Sequence, residues 1–188
     1  MELILASNSP RRREILTNAG FTFKVITSDY EEQNFTVNPH KTATTFDLNK
    51  AKSVFSSLED KENCVVLGAD TVVYFNGQIL GKPSGEKEAV KMLKALSNNK
   101  HTVITGFAIL TNSQTIVDFD ESEVFFSNLT NEQIDAYIKS GLYKGKAGAY
   151  GIQDANYNLV KEYSGSLTNI IGLPIEKVQR ILNEILSI

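Results

Sequence analysis

Three arginines in succession, Arg11, Arg12 and Arg13, stand in the stretch LASNSPRRRE (5–14). Ser9 suits a helix N-cap and Pro10 the first helical position, so the arginines fall in a first helical turn. That is the unfavourable end for cations, at about 0.3–1 kcal/mol each when exposed. The same helix start, behind a small polar loop, is an anion site, and guanidiniums fork onto phosphate oxygens. Neighbours on a helix lie about 100° apart, so only two of the three arginines can face one ligand. Most charge runs are solvated surface, but the position of this one favours a phosphate site.

A second group lies in LGADTVV (67–73), where Asp70 interrupts an apolar run of strand character. A carboxylate there is either a turn or bulge residue or, near a strand end of an α/β fold, part of a ligand site. The NG pair at 76–77 predicts a hairpin that brings Lys82, in the loop GKP (81–83), back towards Asp70. A lysine to take up phosphate charge and a carboxylate to orient a water or hold a metal suit phosphoryl chemistry. Glu31 and Glu32, in DYEEQN, mean little alone, since acidic loops are common, but become candidate magnesium ligands once a triphosphate is present. In GKAGAYGIQD (145–154), Gly145, Gly148 and Gly151 either let the backbone approach a ligand or mark an irregular loop. No P-loop and no H-E-x-x-H pattern occurs, and His40 and His101 lack metal-ligand spacing.

The elements that must position these residues read as α/β. LILAS (3–7) is a strand, 10–19 a helix ending at Gly20, and FTFKVIT (21–27) a strand. Pro39 to Leu58 reads as a long helix with Leu48, Ala51, Phe55 and Leu58 on its apolar face. A strand over 64–75, a return at 78–80 and a helix over 86–97 follow, the last burying Ala89, Met92, Leu93 and Leu96. Two long strands flank a turn at Asn112–Ser113. Thr130 and Gln133 form a capping box for a helix that stops at Gly141. The C-terminal part reads as a strand (NLVKEY), the loop SGSLTNIIGLP and a helix carrying Ile175, Val178, Ile181, Leu182 and Ile185 on one face.

The 188 residues, 41% apolar and 22% charged, suit one compact α/β domain spanning 1–188 with no repeats or linkers. A net charge of −3 disfavours general nucleic-acid or acidic-membrane binding. The single cysteine, Cys64, can form no internal disulfide and reads as a small buried hydrophobe. With neither a signal-peptide core nor a membrane span in the sequence, a cytoplasmic protein is expected.

Taken together, LASNSPRRREIL (5–16), EEQ (31–33), LGADTVV (67–73), GKP (81–83), HTVITG (101–106), SEVFF (122–126), KAGAYGIQ (146–153) and GSLTNIIGLP (165–174) resemble, in order, the Maf family of nucleoside triphosphate pyrophosphatases. The resemblance implies a fold of the Maf/inosine-triphosphatase type: a long mixed β-sheet, flanking helices and a central cleft between two lobes. It implies hydrolysis of a nucleoside triphosphate to the monophosphate and pyrophosphate, with a divalent cation, magnesium or manganese. By resemblance Asp70 is the general base, and Ser7, Arg11, Arg12, Lys50 and Lys82 bind substrate. Glu32 and Asp70 hold the metal. Arg13 then points elsewhere.

Arg11, Thr71 and Gln153 match the branch that acts on dTTP and UTP, in a house-cleaning role, rather than the branch that prefers 7-methyl-GTP. A glutamine amide also suits the imide edge of a pyrimidine, since it offers both a donor and an acceptor. A nucleotide-binding regulator of septum formation is the alternative from another class, and the resemblance also allows a homodimer. This chain departs from the family pattern at Asp154, where glycine is usual, at Asn98, and at 45–47 (Thr, Phe, Asp), where an arginine often precedes Lys50.

Overall fold

Among the described residues, seven strands form one mixed sheet in the order β2-β1-β3-β5-β6-β7, with β4 paired to β3 off this path. They are β1 (Glu2–Leu5), β2 (Phe23–Val25), β3 (Cys64–Phe75), β4 (Gln78–Leu80), β5 (Lys100–Leu110), β6 (Thr115–Phe126) and β7 (Val160–Ser164). The helices are α1 (Pro10–Asn18), α2 (Pro39–Ser57), α3 (Glu86–Leu96), α4 (Asn131–Ser140), α5 (Leu167–Ile171) and α6 (Ile175–Leu186). This is a computed structural model, and it describes residues 1–30 and 38–186. The mixed sheet with flanking helices is the architecture expected from the sequence.

β1 pairs in parallel with β2 and β3, whereas β3, β5, β6 and β7 pair antiparallel. The ladder between β1 and β3 ends at Leu5↔Leu67, but β3 runs on to Phe75, and β4 rejoins its edge only at Val73. The edge of β3 between these pairings opens onto the crevice beyond the carboxyl end of β1, where α/β folds gather ligands.

Alternation along β3 divides the core. Val65, Leu67 and Ala69 pack with Ile15, Leu16, Val178 and Leu182 of α1 and α6. Val66 packs with Ala51 and Val54 of α2, and Val72 with Ala43. At the other end of the sheet, Val73, Val103 and Val124 pack with Ala89, Leu93 and Leu96 of α3 and with Ile134 and Tyr137 of α4. Cys64 is free and buried in the cluster with Val66 and Ala51, as its apolar setting predicts.

Several local signals hold. Ser9 caps α1, accepting from the Arg12 N–H, and Pro10 opens it. The capping box of Thr130 and Gln133 forms, and α4 ends at Gly141 in the left-handed conformation (φ 74°). The four apolar residues expected inside α3 are all buried.

Three readings change. α2 buries Thr42, Ala43, Phe46, Asp47, Ala51 and Val54, with Leu48, Phe55 and Leu58 only partly covered, so its buried face is rotated from the predicted stripe. The stretch SGSLTNIIGLP contains the short helix α5, which Ser166 caps through the Asn169 N–H. Asp70 lies inside β3, opposite Gly106 of β5, in regular pairing rather than at a turn or bulge.

The rotation of α2 has a cause in the sheet. Gly68 and Gly106 present no side chain to α2, and its backbone descends onto them. A Cβ at Gly106 would run into the Asp47 carboxyl and lie 2.8 Å from the Ala43 carbonyl carbon. This close approach is what brings Asp47 and Lys50 down onto the sheet.

Candidate functional site

One cavity of about 470 Å³ opens at the exposed edge of β3, between the start of α1 and the glycine-rich segment 144–153. Its walls include Ser7, Arg11, Arg12, Lys50, Asp70, Thr71, Lys82 and Gln153. Every sequence-derived site residue that lies among the described residues is therefore brought to one place. Glu31 and Glu32 lie outside the described residues. Arg13 does not line the cavity: its guanidinium donates to the Asn8 carbonyl at 3.0 Å on the exposed side.

Consecutive residues of β3 point to opposite faces, yet both Asp70 and Thr71 reach the cavity because it wraps the open strand edge. On the α2 face, the Lys50 ammonium bonds the Asp70 carboxylate at 2.5 Å, with side-chain exposures of 11% and 4%. Three residues earlier on α2, Asp47 is fully buried, and among the described residues neither of its carboxyl oxygens meets a hydrogen-bond partner. Burial first, and the charge of Asp70 second, push the Asp47 carboxyl up to about 9. It is thus a neutral acid at physiological pH, next to the Lys50–Asp70 pair.

On the opposite face, Arg12 ties three elements together. Its Nε donates to the Gly172 carbonyl at 2.7 Å, Nη1 to Ser7 Oγ at 3.1 Å and Nη2 to Thr71 Oγ1 at 3.1 Å. Thr71 Oγ1 in turn lies 2.9 Å from Thr105 Oγ1. Gly172 is held in place through α5. The buried Asn169 side chain accepts from the Thr105 N–H and donates to the Val103 carbonyl and to Ser122 Oγ. Arg11 lies at the other rim, where Nη2 donates to the Gly145 carbonyl at 3.3 Å. Burial lowers its pKa from the ordinary value, and Asp154 opposes that shift.

Lys82 sits where the β3–β4 hairpin was expected to place it. The Gly148 N–H donates to the Gly81 carbonyl at 3.1 Å, joining the GKP loop to the glycine-rich segment. That segment makes a tight turn over Ala147–Ala149, with Gly148 in the left-handed region (φ 66°), and carries two lysines that sequence reasoning left unassigned, Lys144 and Lys146, both in the cavity wall. Their signal was present in LYKGKAGAYG, where they flank Gly145. Asp154, the departure from the family pattern, lies 9% exposed and ion-paired with Lys146.

Arg11, Arg12, Lys50, Lys82, Lys144 and Lys146 thus surround the cavity, and Asp70 is the carboxylate in its wall among the described residues. In a chain of net charge −3 this gathers positive charge at one cavity, with Lys50 and Lys146 each paired to a carboxylate. Among the described residues no group of three or more His, Cys, Asp or Glu is placed to cage a metal ion. Among the described residues the Asp70 carboxylate beside these basic groups fits magnesium or manganese, which take few protein carboxylates. The two histidines have other contacts: His40 pairs with Glu121 at 2.9 Å, and buried His101 bonds the Tyr150 hydroxyl at 2.8 Å.

Fold and site together define an α/β protein with a basic cleft that, among the described residues, holds the Asp70 carboxylate in its wall. The chain belongs to the Maf family: residues 2–185 match the family described as Maf-like protein. It is 42% identical over 184 residues to the dTTP/UTP pyrophosphatase of Thermoanaerobacter sp. (strain X514), covering 97% of this chain and 95% of that protein. It is 43% identical over 192 residues to the dTTP/UTP pyrophosphatase of Clostridium acetobutylicum, covering 97% and 96%. The solved structure of the Staphylococcus aureus Ham1 protein shares the fold, with a TM-score of 0.53 at 15% identity, over 98% of this chain and 99% of that one.

Proposed function

We propose that this protein hydrolyses dTTP and UTP to the nucleoside monophosphate and pyrophosphate. The observation that carries the reading is the Lys50–Asp70 pair standing in the same cavity as the N-terminal turn of α1 with Arg11 and Arg12. The dTTP/UTP pyrophosphatases to which the chain is similar support it.

In this reading the triphosphate lies across the start of α1, where free N–H groups and Arg11, Arg12, Lys50 and Lys82 neutralise its charge. Asp70, its carboxylate oriented by Lys50, positions a water against the α-phosphorus and accepts its proton. The bond from water oxygen to the α-phosphorus forms as the bond to the α–β bridging oxygen breaks. Pyrophosphate leaves with the electron pair, its charge taken up by the basic groups. Asp70 and Glu32 are the residues that would hold a divalent cation, which would supply further charge neutralisation.

Gln153 faces the base, and Thr71 acts on selectivity by fixing Arg12. A cytoplasmic setting belongs to the same proposal: a single buried cysteine demands no oxidising compartment. Among the described residues no helix is long and apolar enough to cross a membrane.

The test is a nucleotide panel with magnesium or manganese, covering dTTP, UTP, CTP, the purine triphosphates and 7-methyl-GTP, with products resolved by anion-exchange chromatography. The reading requires monophosphate and pyrophosphate from dTTP and UTP above the rest. Nucleoside diphosphate and orthophosphate as products, or 7-methyl-GTP as the best substrate, would contradict it.

A further inference from the structure

The glycine-rich segment carries a buried polar cluster that the phosphate chemistry does not use. The Lys146 ammonium and the Asp154 carboxylate form an ion pair with side-chain exposures of 8% and 9%. The Tyr137 hydroxyl donates to the same carboxylate oxygen at 2.6 Å, and the Gly151 N–H donates to the Tyr137 oxygen at 3.2 Å. The Lys146 ammonium, the Asp154 carboxylate and the Gln153 amide converge over Gly151. A Cβ there would lie 2.7 Å from the first and 2.8 Å from each of the others. Only glycine leaves room for this arrangement.

Two of the three groups reach the cavity. Lys146 and Gln153 line its wall, while Asp154 stands behind them. An ammonium has three donors. Among the described residues the acceptor that Lys146 meets is Asp154, which leaves donors for a ligand in the cavity. Lys146 also enters the wall as half of an electrically balanced pair. It adds little pull on a distant phosphate but offers a fixed, directed donor at short range. Around it the wall is formed by Ala147, Tyr150 and Ile170, surroundings suited to a ring rather than to a phosphate.

Uracil and thymine present carbonyl, N–H and carbonyl along one edge. The Gln153 amide supplies one acceptor and one donor, and Lys146 beside it supplies a second donor. We propose that Lys146, fixed by Asp154 and Tyr137, donates to a ring carbonyl of uracil or thymine next to Gln153, and so selects these bases over cytosine. The inference rests on the pyrimidine triphosphate reading of the cavity. Cytosine replaces one carbonyl by an amino group, which would set donor against donor at the buried Lys146 ammonium, and such mismatches are rejected strongly.

The experiment measures kcat and KM for UTP and CTP in the native protein, in Lys146→Arg and in the double variant Lys146→Met/Asp154→Asn. The double variant removes both charges at nearly constant volume and leaves Tyr137 an acceptor, so no carboxylate is buried unpaired. Its kcat/KM for UTP is expected to fall at least about tenfold through KM, its UTP-to-CTP ratio to fall at least about fivefold, and Lys146→Arg to recover part of that ratio. An equal loss for UTP and CTP, or a loss confined to kcat, would overturn the assignment of Lys146 while native UTP turnover stands. Failure of the native protein on both UTP and dTTP would overturn the underlying reading as well.

Discussion

Arg12→Ala is the perturbation that most clearly separates the two demands on the arginine run. Hydrogen bonds from a charged donor contribute about 1.5–3 kcal/mol each. Two acceptors of Arg12 keep other partners, because Thr71 Oγ1 meets Thr105 Oγ1 and Ser7 Oγ accepts from the Ser9 N–H. The Gly172 carbonyl, bonded by Arg12 at 2.7 Å, bears the main loss. With the packed stem of the side chain included, the gross cost is about 2–4 kcal/mol. Relief of a cation at the start of α1 returns about 0.3–1 kcal/mol, for a net loss of about 1–3.5 kcal/mol. Arg13, bonded only at the exposed rim, should change stability by no more than about 0.5 kcal/mol when replaced by alanine.

The assay is urea denaturation of nucleotide-free protein followed by circular dichroism, since the chain has no tryptophan. A loss of this size lowers the midpoint by roughly 1 M for Arg12→Ala. KM for UTP should rise at least about tenfold in the same variant and stay near native in Arg13→Ala. Equal midpoints for the two variants, or an equal rise in KM, would refute the assignment of Arg12 as both brace and phosphate ligand.

Asp47 predicts an unusual pH profile. Its folded pKa of about 9 lies above the ordinary 3.8, so between these values the folded state holds a proton that the unfolded state releases. Stability contributed by this group therefore falls as pH rises through that window. Relative to Asp47→Asn, the native protein should lose on the order of 2–4 kcal/mol between pH 5 and pH 8, measured by urea melts in chelator; parallel curves would contradict the buried, neutral acid. Gly106→Ala would force a methyl group into Asp47 and the backbone of α2. It should destabilise by about 1–3 kcal/mol and reduce UTP turnover by displacing Lys50 from Asp70, whereas an unchanged melt with native turnover would refute that packing argument.

Much of the site was legible because its residue types conflict with their local setting. Three arginines in a first turn, an aspartate in an apolar strand and a lysine after a hairpin signal each break a local rule, and the structure gathers them in one cavity. What stayed hidden depends on contacts between distant segments. Nothing near Arg12 announces a bond to Gly172, 160 residues away, and the short helix α5 that presents this carbonyl reads locally as loop. The buried face of α2 departs from its apolar stripe because Gly68 and Gly106 draw its backbone onto the sheet and bury Asp47, a residue that periodicity alone places outside. Asp154 reads as a departure in a glycine-rich loop, and its ion pair with Lys146 becomes visible only once the loop is closed.

The most direct test of the central claim is hydrolysis of UTP in ¹⁸O-labelled water by the native protein and by Asp70→Asn, with products read by mass spectrometry. Attack on the α-phosphorus by a water that Asp70 activates predicts label in UMP, unlabelled pyrophosphate and turnover reduced at least about a hundredfold in the variant. Label in pyrophosphate, or native turnover by Asp70→Asn, would contradict it.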